Sequence, residues 1–124
     1  MLRDGEDLTI VACGLTVAAS LKAADILKEK GLSAAVIDMH TVKPLDTELL
    51  EKYARKTGRI VTAEEHNIIG GLGSAVCESL SGSFPTQVQR IGMEDQFGQS
   101  GKAEELLSLY GLTGEGIADK ILKG

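Results

Sequence analysis

The sequence predicts an α/β sandwich built on a mainly parallel sheet. Short apolar runs alternate along the chain with segments of helical period, which places successive strands parallel with right-handed crossovers between them. The first run, residues 8–13, is almost wholly apolar, as a strand covered on both faces requires. Glycine or proline closes most of these segments, so the alternation is punctuated as separate elements.

The first strand, Leu8-Thr9-Ile10-Val11-Ala12-Cys13, ends at Gly14. Val17, Ser20, Leu21, Ala24 and Leu27 then recur at helical spacing up to Gly31, with Lys28 and Lys30 where cations complement the helix dipole. Residues 33–39 read as the second strand. Lys43-Pro44-Leu45-Asp46 follows as a loop, because proline disfavours helix in the residue before it. Asp46 suits the N-cap of the next helix, with Leu45 and Leu50 at the positions of a hydrophobic staple. That helix carries Leu49, Leu50, Tyr53 and Ala54 and stops at Arg55-Lys56-Thr57-Gly58.

Residues 59–64 form the third strand. A glycine-rich turn follows, and then a helix through about Leu80 with Leu72, Ala75, Val76, Ser79 and Leu80 on one face. Ser81-Gly82-Ser83-Phe84-Pro85 interrupts the pattern. Residues 87–93 give a fourth strand whose polar side chains fit a sheet edge with one face partly wet. A loop, residues 94–101, leads to a helix around Leu106, Leu107 and Tyr110, and a last helix carries Ile117, Ile121 and Leu122.

At 124 residues the chain is of a length for one domain, able to bury roughly two thirds of its unfolded surface around one core. The net charge of -5, with no basic block, leaves no electrostatic footprint for nucleic acid or an anionic membrane. No apolar run approaches the ~20 residues of a membrane span, and residues 1–6 have no signal-peptide core. Cys13 and Cys77 lack metal-ligand or redox-motif spacing, so they read as buried reduced thiols and point to a cytoplasmic setting.

If the first strand is central, ligands bind at the carboxyl ends of strands one and three, where the strand order reverses. That crevice would be lined by Gly14, Leu15 and Thr16 and by the stretch Glu64-Glu65-His66-Asn67-Ile68-Ile69-Gly70-Gly71-Leu72-Gly73-Ser74. Gly70, Gly71, Gly73 and Ser74 open a helix, and such a turn either offers free N–H groups to an anion or packs the helix closely on the sheet. The neighbouring Glu64 and Glu65, and the lack of lysine or arginine in the turn, weigh against an anion. Glu64, Glu65 and His66 have the residue types of an acid, a base and an orienter, or of carboxylates that cap neighbouring N–H groups or meet a partner subunit. His40 and His66 have no defined third ligand, so no metal site is expected. Phe97, one of two phenylalanines, lies among polar residues and glycines and suits an interface anchor.

The motifs Leu2-Arg3-Asp4-Gly5-Glu6-Asp7-Leu8, Val42-Lys43-Pro44-Leu45-Asp46, Val61-Thr62-Ala63-Glu64-Glu65-His66, Gly70-Gly71-Leu72-Gly73-Ser74-Ala75, Arg90-Ile91-Gly92, Asp95-Gln96-Phe97-Gly98-Gln99-Ser100-Gly101 and Tyr110-Gly111-Leu112-Thr113 occur in this order almost end to end. In this the chain resembles the C-terminal domain of the transketolase family of thiamine-diphosphate enzymes. The resemblance implies a three-layer α/β/α sandwich with a mostly parallel sheet of four to five strands, residues 1–124 forming a single such domain. The first of those strands would be antiparallel and shortened to its end at Met1-Leu2-Arg3.

In that family thiamine diphosphate and magnesium are held by two other domains, one with a Gly-Asp-Gly motif and one with the catalytic glutamate. Neither has a counterpart here, so the resemblance implies no catalytic and no cofactor-binding residue in this chain. Its implied partners are the N-terminal thiamine-binding domains or subunit of the same enzyme, together with a second copy in a homo-oligomer. The implied parent reaction is transfer of two-carbon ketol units between sugar phosphates. A 1-deoxyxylulose-5-phosphate synthase, a 2-oxoacid dehydrogenase β-subunit, and a regulatory module binding a small ligand in the crevice stand as the alternatives.

Overall fold

A computed structural model describes residues 2–12, 16–39, 47–67, 72–93 and 113–123. In chain order its elements are β1 (Leu8–Ala12), α1 (Thr16–Glu29), β2 (Ala34–Asp38), α2 (Thr47–Thr57), β3 (Arg59–Asn67), α3 (Leu72–Ser83), β4 (Gln87–Met93) and α4 (Gly114–Lys123). The strands lie in the order β2-β1-β3-β4, and each adjacent pair is parallel. The helices cover both faces, so the expected three-layer sandwich is what forms.

Alternation along each strand sends successive side chains to opposite layers. Leu8, Ile10, Val36, Val61, Ala63 and Ile91 face one side, where they meet Ala23, Ala24 and Leu27 of α1 and Ile117, Ala118 and Ile121 of α4. Val11, Ala35, Ile37 and Ile60 face the other, against Leu50, Tyr53 and Ala54 of α2 and Val76 and Leu80 of α3. Each fully buried aliphatic side chain contributes about 1.5–3 kcal/mol to burial. β1 lies between β2 and β3 and is buried at every position, which is why its sequence carries no polar alternation beyond Thr9.

The helix ends follow local chemistry. Lys28 lies in the last turn of α1, and Arg55 and Lys56 in that of α2. Gly31 and Gly58 follow with φ of 87° and 71°, left-handed values that a side chain disfavours and a C′ glycine supplies.

Four readings shift. The third strand runs to Asn67 rather than Glu64, because its pairing with β4 continues from Glu64↔Gly92 to Asn67↔Met93 across a register irregularity. α3 persists to Ser83, as Ser81 and Ser83 direct their hydroxyls to the carbonyls of Glu78 and Ser79, and Pro85 then ends it. Leu122 is 43% exposed, since Ile117, Ala118 and Ile121 define the buried stripe of α4. Cys77 is a free thiol and only half-buried. The helix expected around Leu106, Cys13, and the loop with its cap at Lys43 to Asp46 lie outside the described residues.

The N-terminal residues form a strap across the β2 edge. Arg3 pairs antiparallel with Val36, whose N–H donates to the Arg3 carbonyl at 2.8 Å while its own carbonyl accepts from Leu2 N–H at 2.9 Å. Farther along, Asp7 N–H donates to the Ser33 carbonyl, and Ser33 N–H to the Asp7 carboxylate. Arg3 pairs with Asp25 of α1, whereas Asp4 accepts from Lys56 Nζ at 2.7 Å and Tyr53 Oη at 3.0 Å on α2. A Cβ on Gly5 would overlap the backbone of Ala34 and Ala35, so only glycine lets the strap lie this close.

Candidate functional site

The strand order makes β1 central and fixes where connections change sides. α1 leaves β1 for one layer and α3 leaves β3 for the other, so the strand order reverses at the carboxyl ends of these two neighbouring strands, the reversal point assumed from the sequence. The amino ends of α1 and α3 flank it, beginning at Thr16 and Leu72.

Thr16 is fully buried and its hydroxyl donates to the Ala63 carbonyl at 2.7 Å. The first residue of α1 is thereby tied to the neighbouring strand β3. Ala63 also pairs with Ala12, so the bond spans the reversal point itself. Glu65 and His66 lie in β3 within the irregular register between Glu64 and Asn67, which places them in a bulged stretch of strand at the crevice end. Gly73 and Ser74 occupy the first turn of α3, so the helix starts ahead of them, at Leu72. Gly14, Gly70, Gly71 and Phe97 lie outside the described residues.

Two cavities border α3. One of about 360 Å³, between α2 and α3, is bordered by Thr47, Glu48, Glu51, Ser79, Gly82 and Ser83. The other, about 210 Å³, lies beside Cys77, Leu80, Pro85 and Val88. Sequence reasoning missed both; Gly82, which borders the first, reads there only as part of a break after the helix.

Displaced ionisation occurs at the strap. Asp4 is held below the usual carboxylate range, first by Lys56 and then by the Gly5 N–H and Tyr53 hydroxyl. Lys56 is raised in turn by Asp4, and the Tyr53 phenol is raised by burial and then by Asp4. On α4, Glu115 is lowered by Lys22 of α1, 2.6 Å away.

A magnesium diphosphate group needs a carboxylate and carbonyl ligand set and cationic or N–H donors for its phosphates. Among the described residues no group of three or more His, Cys, Asp or Glu side chains could hold a metal. The larger cavity presents two glutamates and no cation, which repels a phosphate. The described residues therefore do not fit thiamine diphosphate.

The fold and crevice define a class: a doubly wound α/β domain with its strand reversal at β1 and β3. Comparison with known proteins narrows the class. The family model described as "Transketolase, C-terminal domain" matches residues 1–117, and the chain belongs to that family. It is 50% identical over 124 residues to a Methanocaldococcus jannaschii protein named for a transketolase C-terminal section, covering 99% of this chain and 38% of that one. It is 48% identical over 119 residues to the 1-deoxy-D-xylulose-5-phosphate synthase of Heliobacterium modesticaldum, covering 95% of this chain and 18% of that enzyme. A solved structure described as a split-gene transketolase, inactive beta4 tetramer, superposes with a TM-score of 0.91 at 48% identity, over 98% of this chain and 40% of that one. The chain thus spans two fifths or less of the length of these relatives.

Proposed function

We propose that this chain is the C-terminal assembly domain of a cytoplasmic transketolase-type enzyme that moves two-carbon ketol units between sugar phosphates. It packs against the thiamine-binding domains or subunit and helps join copies of the enzyme, while thiamine diphosphate and magnesium sit in those other parts. The observation that carries this reading is near-complete coverage of this chain by relatives of which it spans only 38–40%, one of them described as a split-gene tetramer.

Isothermal titration of the chain alone with thiamine diphosphate and magnesium tests the assignment. No heat of binding is expected, and saturable binding would overturn it. Deleting this domain from a parent enzyme is expected to lower the number of copies per assembly; an unchanged copy number refutes the assembly role.

The same domain also serves a relative with deoxyxylulose-phosphate synthase in its name, at 48% identity, so assignment of the parent reaction rests on the other domains. A second reading, a small ligand held in the crevice, is favoured by the strand reversal at β1 and β3. A thermal-shift series with nucleotides and sugar phosphates tests it, a concentration-dependent rise in Tm being the expected sign.

A further inference from the structure

We draw no further inference here: the strongest candidate, the cavity of about 360 Å³ between α2 and α3, rests on two carboxylates, Glu48 and Glu51, the second already paired with Arg55, and nothing in the structure shows what occupies it.

Discussion

Thr16 illustrates what a single residue reveals and conceals. Its place at the crevice followed from the sequence, yet its hydroxyl's acceptor, the Ala63 carbonyl, lies 47 residues away and no local pattern encodes it. Thr16→Val is expected to cost about 1–3 kcal/mol in urea unfolding, because a buried acceptor loses its donor, while Thr16→Ser recovers most of the loss. Asp4 gives a second residue-scale prediction. Lys56, Gly5 and Tyr53 lower its pKa in the folded state, so its contribution is complete above the unfolded value and lost as pH falls through the folded one. Asp4→Asn should therefore be less stable than the parent at neutral pH, and the gap should narrow in denaturant titrations as pH falls below the usual carboxylate range. The reading of Asp4 as one member of a family motif gave no hint of this pairing, since Tyr53 and Lys56 reach it only once α2 has packed.

Elements with a strong period were legible, as were the glycine-stopped ends of α1 and α2; ends set by nonlocal contacts were not. The spacing of Ala24 and Leu27, or of Leu50, Tyr53 and Ala54, marks a buried stripe directly, and these residues are buried. The end of β3 depends on its ladder with β4, a nonlocal fact, so the strand outran the expectation. The docking of α4 was equally hidden. Arg59 of β3 donates to the Ile121 carbonyl and to Gln89 Oε1, both at 2.9 Å, and Gln89 of β4 donates to the Lys120 carbonyl at 2.9 Å. Two edge-side strands thus satisfy the open carbonyls at the end of α4, with a cation where the helix dipole favours one. Arg59→Met and Gln89→Leu should each destabilise α4, and a double-mutant cycle should show a coupling of about 0.5–3 kcal/mol because they share one network. Hydrogen exchange in α4 should rise in both variants ahead of that in β1.

Across the whole molecule, the three-layer arrangement was readable because its rule is simple: alternating elements, a fully apolar first strand, and crossovers of one hand. The strand reversal was readable to the same extent, from the central place assumed for the first strand. The path of the chain at Glu65 and His66 was not, because the register irregularity that holds them is set by pairing with β4 and no alternation predicts it. The two faces of the sheet share every strand, so the layers should melt together. Leu27→Ala and Leu50→Ala, on opposite faces, are each expected to cost about 2–5 kcal/mol, with circular dichroism and tyrosine fluorescence transitions that still coincide.

The central place of β1 also sets the order in which the chain can become a protein. β1 is synthesised before its neighbours, but its two ladders need residues 34–38 on one side and residues 60–63 on the other. Until β3 has been made, a five-residue strand destined for complete burial has at most one neighbour, and none of its pairings is a local hairpin. Nonlocal parallel pairing slows folding, so this domain should reach its native state slowly for its size. A nascent chain stopped before Arg59 should be a substrate for holdase chaperones.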